Sequence, residues 1–338
     1  MMKLIKLCVV LSIATTLLVG CNSHPIYTAG GYIVEDYAEV IAKPYVLSSI
    51  DTDTACQFGN TMAPLFESIN LLTESERKIP SLLYLLSANC SEQTAREAEL
   101  RSIRALRKGD KEEAKDARTV QKRWLKVTAL RRKESFNSAM TAYSYQYETP
   151  TEACPEFSGE EDEITFLLGI LTGLQAILSD AGAELSANVP RNIAPAAIRA
   201  SYCINDDKWG GMPSSIRATT WLLLPDLKPE GVDPWQHLLI ADEKGISFGV
   251  RIPLALHAII AESTGNEKEL VRAVNFLKHP IHQNKHYALL DSIGLSHIQA
   301  VSDRHWTQST GERTPFSKLG TLSIQEVDDD LDGFDDFL

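Results

Sequence analysis

The stretch ITFLLGILTGLQAIL at positions 164–178 decides the fold class, because its apolar side chains cover every side of a helix and must be enclosed. A helix of fifteen residues rises only about 22 Å, which is less than the hydrocarbon thickness of a bilayer. We therefore expect this helix to be surrounded by protein and not by lipid. Gly169 and Gly173 stand one turn apart and permit a neighbouring helix to approach closely. The stretch therefore predicts a central buried helix; the alternative interpretation is a membrane helix that dimerises.

Proline and glycine divide the rest of the sequence into helical segments. The predicted helices of the C-terminal half are 214–224, stopped by Pro225; 234–245, capped by Asp233 and ended by Gly245; 252–264; 267–278; 280–294; and a last one ending near 308. From about Thr54 the N-terminal half shows the same apolar spacing, with two long polar helices that meet at Gly109. Because short loops make neighbouring helices antiparallel, we predict an all-α array or bundle of helical hairpins.

One junction between helices carries a resemblance. Gly109-Asp110-Lys111-Glu112-Glu113-Ala114 resembles the turn between the two helices of a tetratricopeptide repeat, and 265–269 is similar in form. Where that family places a large aromatic residue, a Leu and a Gly, this chain has Ala98, Arg101 and Ser102, and no period of about 34 residues recurs. The resemblance implies tetratricopeptide-like packing in part of the chain. A plain helical hairpin with a glycine stop is the alternative.

The N-terminus has the pattern of an export signal. Lys3 and Lys6 precede an apolar run at 7–19, and the sequence LVGC follows at 18–21. This motif resembles bacterial lipoprotein signals, which implies cleavage before Cys21 and acylation of that residue, so that lipid anchors the protein without a membrane span. Asn22 in place of Asp favours, by the same resemblance, the outer membrane, facing the periplasm or the cell surface. An ordinary signal peptide with a chance cysteine is the alternative.

Composition shifts predict six regions along the chain. They are a signal peptide 1–20, a tether 21–50, a helical region with basic helices 51–147, an acidic linker 148–163, a second helical region 164–308 and an acidic disordered tail 309–338. Cys56, Cys90, Cys154 and Cys203 form an even set in a compartment that permits oxidation. Pairing sequence neighbours closes the shortest loops and is favoured, although buried free thiols remain an alternative.

The net charge of −12 argues against nucleic acid as a partner, but charge is unevenly distributed. Between Arg96 and Lys133 stand fourteen basic and six acidic residues, whereas 148–163 and 326–338 each carry seven acids and no base. The basic stretch is typical of a solvated helix surface. Alternatively, it meets an acidic partner, acidic headgroups or the acidic tail.

Motifs for catalysis are absent from the sequence: it has no phosphate-binding Gly-rich loop, no Gly-x-Ser-x-Gly elbow and no His-Glu-x-x-His helix. These absences do not exclude an enzyme, because catalytic groups can be assembled from distant segments; the expectation of a non-enzymatic protein comes from the predicted helical array. His282 and His286 stand one helical turn apart, a spacing that suits zinc or copper, with His279 or Asp303 as further ligands. Polar histidines on a helix surface are the alternative.

Two further candidates are ligand sites rather than catalytic ones. Asp328, Asp330, Asp332 and Asp336, with Gly333, resemble the acidic half of a calcium loop, so the tail is either a weak Ca²⁺ site or disordered, and no other cofactor is expected. Trp209 beside two glycines is a candidate ligand contact in a surface groove, or else a loop residue folded onto the core.

Together these patterns predict a membrane-anchored helical lipoprotein that acts as a non-enzymatic scaffold or binding module for a protein or a small ligand. One alternative is a solute-binding accessory lipoprotein of a TRAP-type transporter, by resemblance to tetratricopeptide-like lipoproteins of such systems. Another is a metal-binding protein or hydrolase that uses His282 and His286.

Overall fold

The computed structural model describes residues 25–73, 77–148, 153–278 and 280–323, and within these ranges the chain is all-α, without a β-strand. The predicted fold class is confirmed. The helices are α1 Pro25–Tyr37, α2 Lys43–Leu47, α3 Thr52–Thr73, α4 Lys78–Arg107, α5 Lys111–Ala142, α6 Glu160–Gly182, α7 Ile193–Ser201, α8 Met212–Leu223, α9 Pro234–Phe248, α10 Ile252–Thr264, α11 Glu267–Asn275 and α12 Ala288–Thr310. A π-helical turn, Ala38–Ala42, joins α1 to α2, and 3₁₀ turns occur at Pro225–Leu227, Phe276–Lys278 and Phe316–Lys318.

Helix α6 contains the apolar stretch and lies within the largest hydrophobic core. A β-carbon on Gly169 would lie 2.2 Å from Cβ of Ala139, and one on Gly173 would lie 2.5 Å from the ring of Phe136. Both glycines therefore let α5 approach α6 closely. By length and composition α6 could also cross a membrane, but 78% of its apolar window is buried in the fold. This burial confirms the prediction of a central core helix.

Helices α4 and α5 form a long antiparallel hairpin, and α5 continues the packing onto α6. At the junction Gly109 has φ of +77°, Asp110 accepts a hydrogen bond from the Glu113 amide, and Ala114 is buried. The turn is therefore as the sequence predicts. The tetratricopeptide likeness is not confirmed, because the two helices have 30 and 32 residues, each nearly the length of a whole two-helix repeat.

Helix α12 joins the two halves of the chain, since it packs against α4 as well as against α10. The largest core correspondingly includes side chains from both predicted helical regions, 51–147 and 164–308. These regions pack around shared apolar side chains, with smaller clusters beside them.

Several predicted helix ends in the C-terminal half are observed, but the stop at Gly245, the start at 280 and the stop at Gly294 are wrong. Asp233 caps α9 by accepting from the Trp235 amide, with Pro234 in the first helical position. Helix α9 runs through Gly245, however, and ends at Gly249, whose φ is +83°. Likewise α12 begins only at Ala288 and continues through Gly294. Both glycines lie inside helices because neighbouring backbone approaches them, at Val250 and Arg251 respectively.

The predicted tether at 21–50 is wrong for its described part, which is helical from Pro25 to Leu47. Pro25 and Pro44 suggested irregular chain, but each stands in a first helical turn, where a missing amide donor costs little. Gly31 faces Thr73 of α3, where a β-carbon would lie only 2.6 Å from the threonine methyl group.

The predicted acidic linker and tail both need correction. Acids 160–163 form the first turn of α6, where the helix dipole favours negative charge, so the linker is shorter than 148–163. Residues 311–323 are not a free tail, because Ser302 Oγ and Trp306 Nε1 on α12 both donate to the Thr321 carbonyl. Residues 324–338 lie outside the described part of the chain.

The favoured disulfide pairing is confirmed. Cys56 on α3 is bonded to Cys90 on α4, and Cys154 before α6 is bonded to Cys203 after α7. The first bond ties adjacent helices, and the second fixes the entry into the central helix.

Candidate functional site

Charged side chains from three helices meet beside the core. Glu92 and Arg96 stand one turn apart on α4 and share a face, Arg132 projects from α5, and His297 lies on α12. We call these four residues the Glu92 cluster. Their side chains are largely buried: 3% of Arg132, 5% of His297 and 15% of Glu92 remain exposed.

Glu92 is the centre of the hydrogen bonds in this cluster. Arg96 Nη2 and Arg132 Nη2 each donate to Glu92 Oε2 at 2.9 Å, and Arg132 Nη1 donates to Ser179 Oγ at 2.7 Å. Arg96 Nη2 also contacts His297 Nδ1. Because a guanidinium can only donate, Nδ1 accepts, and the imidazole proton stands on Nε2, which lies 3.5 Å from Glu92 Oε2.

The electrostatics hold Glu92 charged and His297 neutral. Burial disfavours the carboxylate of Glu92, but the charges of Arg132 and Arg96 outweigh it and hold the pKa well below the usual range. Burial lowers the pKa of His297 to about 3, and the charge of Arg96 acts in the same direction. Neither group changes its protonation near neutral pH.

A second ion pair extends the cluster along α12. Arg304 Nε donates to Glu262 Oε1 of α10 at 3.0 Å, its Nη2 contacts Glu262 Oε2, and its Nη1 donates to Glu99 Oε2 at 3.5 Å. Burial would lower the pKa of Arg304, but the hydrogen bond and charge of Glu262 raise it above its ordinary value. This bidentate geometry ties α12 to α10 and, through Glu99, to α4.

Two cavities open on either side of these groups, with volumes of about 260 and 170 Å³. Both are lined by Glu92, Arg96, Glu99, His297 and Arg304. The larger one has further polar lining from Arg118, Gln121, Arg132, Gln175 and Ser179, and an apolar side from Leu125, Leu178, Leu256 and Ile259. It therefore offers guanidinium groups and an aliphatic surface within one concave space.

The depressed pKa of His297 predicts a pH-dependent stability. The unfolded chain takes up a proton below about pH 6.5 that the folded chain, facing Arg96, Arg132 and Arg304, resists until about pH 3. Stability is therefore fully present above pH 6.5 and is lost as the pH falls, by about 2 kcal/mol between pH 7 and pH 5. Urea unfolding at both pH values measures this difference.

The variant His297→Gln keeps an acceptor for Arg96 and should lose most of that pH slope. His286→Gln is the matched control, because His286 is exposed, and it should retain the slope. The raised pKa of buried Asp242 makes the protein more stable as the pH falls, which is opposite to the effect of His297. This contribution is the same in the wild type and in both variants, so it cancels in the comparison. An unchanged slope in His297→Gln would contradict the assignment.

Another buried histidine, His257, lies between two carboxylates. Its Nδ1 is 2.6 Å from Asp242 Oδ2, and its Nε2 is 3.3 Å from Glu269 Oε2, which Arg272 also contacts. The imidazole and the Asp242 side chain are completely buried. With carboxylates on both ring nitrogens and no access for substrate, this group cross-links α9, α10 and α11 rather than resembling a hydrolase triad.

Trp209 is not a groove residue, so the ligand-contact candidate is wrong and the alternative, a loop residue folded onto the core, is observed. The side chain is 2% exposed, its Nε1 donates to Glu163 Oε2 at 2.7 Å, and its ring makes edge contacts with Phe248 and Tyr287. Positive φ at Gly210 and Gly211 folds the loop back, so the indole enters the core.

The metal site at His282 and His286 was predicted from a spacing of one helical turn, and this basis is also wrong. Residues 281–287 are irregular, and α12 begins only at Ala288. Asp303, offered as a further ligand, accepts from the Thr314 amide instead. No group of three or more His, Cys, Asp or Glu in the described ranges is placed to hold a metal ion. Cys21, His279, Asp328, Asp330, Asp332 and Asp336 lie outside these ranges, so lipidation and calcium binding stay predictions.

The Glu92 cluster was missed by reasoning from the sequence. Its only local signal is the spacing of Glu92, Arg96 and Glu99 on one helix face, which is also typical of a solvated ion-pair stripe. Comparison with protein-family models, with curated proteins and with solved structures finds no match for this chain. The geometry of the cluster is therefore the basis for a functional proposal.

Proposed function

We propose that this protein is an outer-membrane lipoprotein, anchored through Cys21 and facing the periplasm, that acts as a non-enzymatic binding module for a small organic acid. The supporting observation is the charge balance of the larger cavity. Four guanidinium groups line it, those of Arg96, Arg118, Arg132 and Arg304, against the two carboxylates of Glu92 and Glu99. Glu262 is outside the lining but pairs with Arg304, which leaves four positive charges against three negative ones. The lining therefore carries an excess of positive charge, which suits an anionic ligand.

The donors of this lining suit a carboxylate in particular. Arg132 Nε is buried without a hydrogen-bond partner, a cost of about 1 to 3 kcal/mol that an acceptor would relieve. Arg118 is half exposed at the rim, and its guanidinium lies 4.0 Å from Glu99. Planar guanidinium donors pair with carboxylates in bidentate fashion, and the leucine side of the cavity suits the aliphatic part of the same molecule.

The protonation states of the cluster favour binding over catalysis. A general acid or base needs a pKa near the working pH. The pKa of Glu92 lies far below that range because two arginines hold its carboxylate, and the pKa of His297 is about 3. Both side chains are engaged with each other and with arginine rather than directed at a reacting group.

The same cavity supports a second candidate function, a solute-binding accessory lipoprotein of a TRAP-type uptake system. Such a protein would hold the same kind of organic acid and deliver it to a membrane component. The two functions differ after the ligand has bound. An accessory protein then forms a complex with the transporter, whereas a binding module does not need to form one.

Ligand binding is tested by calorimetric titration of the acylated full chain in detergent with hexanoate, succinate and 2-oxoglutarate. We expect at least one acid to bind, and uncharged hexanamide not to bind. Arg118→Gln should weaken binding about tenfold, the equivalent of about 1.4 kcal/mol. Arg123→Gln is the matched control, because it removes the same charge from an exposed position of α5 that does not line the cavity.

If none of the three acids binds at millimolar concentration, or if Arg118→Gln binds as tightly as the control, the proposed ligand class is wrong. The anchor has a separate test, the intact mass of native material. It should correspond to a chain that begins at an acylated Cys21. A retained start methionine or an unmodified Cys21 would contradict the anchor and leave the cavity result unaffected.

A further inference from the structure

The outward surface of the first helices is almost entirely apolar. Among the exposed residues between positions 25 and 50, Asp36 and Ser48 are the only ones that are neither apolar nor tyrosine. Ile26, Ile33 and Tyr45 are 82%, 71% and 77% exposed. Single exposed apolar side chains are common on proteins, but a continuous set of this size marks a contact surface.

The exposed side chains repeat at helical spacing, so they form a stripe. Ile26, Ile33 and Val40 are seven residues apart, and the next positions along the chain, Tyr27, Val34 and Ile41, repeat the same spacing. Seven residues are nearly two helical turns, which places these residues on one side. We call residues 26–45 on this side the outer face.

The opposite side of the same segment is fixed to the protein body. Gly31 and Ala38 are buried against α3 and its neighbours, and Tyr32 Oη donates to the Thr73 carbonyl at 2.6 Å. Lys43 Nζ is buried in ion pairs with Glu39 and Glu161, at 2.9 and 3.2 Å. With the exception of Asp36, the segment therefore turns its charged groups toward the protein body and its apolar groups outward, which is the reverse of an ordinary surface helix.

We propose that the outer face lies on the surface of a lipid bilayer, as a second membrane contact beside the acyl chains. This inference rests on the proposed anchor at Cys21. Only three residues separate Cys21 from Pro25, and the four steps from one Cα atom to the other span at most about 14 Å, so acyl chains on Cys21 would hold α1 at the bilayer surface. A protein partner would have to insert itself into this narrow gap.

The composition of the outer face fits the boundary between headgroups and hydrocarbon. Tyr27, Tyr37 and Tyr45 combine an apolar ring with a hydroxyl, a combination that is enriched at membrane interfaces. The segment 26–45 is about 30 Å long when helical, enough for an extended contact in the plane of the membrane. Because the outer face exposes no lysine or arginine, its contact depends on apolar area and not on acidic lipids.

The test places a nitroxide probe on the acylated full chain in vesicles of phosphatidylethanolamine and phosphatidylcholine. Ile33→Cys and Val40→Cys carry the probe on the outer face, and Thr119→Cys carries it on an exposed polar position of α5. We expect oxygen to reach the first two probes several-fold more readily, and a water-soluble nickel complex several-fold less readily, than the Thr119→Cys probe. The result should be the same at low and at high salt.

Three outcomes would overturn the proposal. Probes on the outer face that behave like the control, in protein that remains with the vesicles, would leave the anchor standing and remove the second contact. Shielding from both reagents with spin–spin broadening would show that a second copy covers the face. Protein that separates from the vesicles and lacks acyl mass at Cys21 would remove the anchor and the inference together.

Discussion

Replacing Glu92 with alanine is expected to lower the free energy of unfolding by about 3 to 5 kcal/mol. The carboxylate is the common acceptor of Arg96 and Arg132, and it faces the Nε2 proton of His297. Without it, two buried guanidinium groups lose their counter-charge, and burial then acts against them without compensation. Urea unfolding followed by circular dichroism at pH 7 measures the change.

Glu97→Gln is the matched control for this prediction. Glu97 is on the same helix, but its ion pair with Arg313 is about half exposed, so its loss should cost less than about 1 kcal/mol. Glu92→Gln should fall between the two, since the amide oxygen still accepts one hydrogen bond. If Glu92→Ala costs no more than Glu97→Gln, the cluster does not contribute to stability as its geometry indicates.

The difference between Glu92 and Glu97 explains why the sequence alone did not identify the site. Both are acids in a charged stretch of α4, and local spacing does not distinguish them. Burial of Glu92 arises because α12, some two hundred residues later, packs His297 and Arg304 against this side of α4. A prediction of the basic stretch as a solvated helix surface therefore fails at the partly buried Arg96 and the buried Arg132, while Arg123 and Lys126 are exposed.

Signals that act over a few residues were predictive. The apolar stretch 164–178, the cap at Asp233 and the stop at Gly109 each depend on neighbours in the chain, and all are observed. The helix ends predicted at Gly245 and Gly294 were wrong, because the sequence does not distinguish a glycine that ends a helix from one that lets a neighbouring backbone approach. The segment with the apolar outer face was taken for a tether because Pro25 and Pro44 suggested irregular chain. In the structure both prolines stand at helix starts.

The two disulfides were predicted from sequence order, and their removal should have the second large effect on stability. In the double variant Cys154→Ser with Cys203→Ser, we expect the free energy of unfolding to fall by about 4 kcal/mol. The bond closes a loop with a sequence separation of 49, which restricts the unfolded chain. Since Cys154 is exposed and Cys203 half-buried, replacement by serine changes little in the core.

The double variant Cys56→Ser with Cys90→Ser distinguishes chain entropy from packing. Its separation of 34 gives nearly the same entropic cost, because that cost varies only with the logarithm of loop length. Cys56 is 2% exposed, however, so its variant also buries a serine hydroxyl and should lose more stability. Equal losses in the two double variants would mean that loop closure alone accounts for both bonds. A smaller loss of stability for the Cys56 pair would contradict the packing argument. It would mean that other contacts hold α3 on α4 without the covalent link and despite the buried serine hydroxyl.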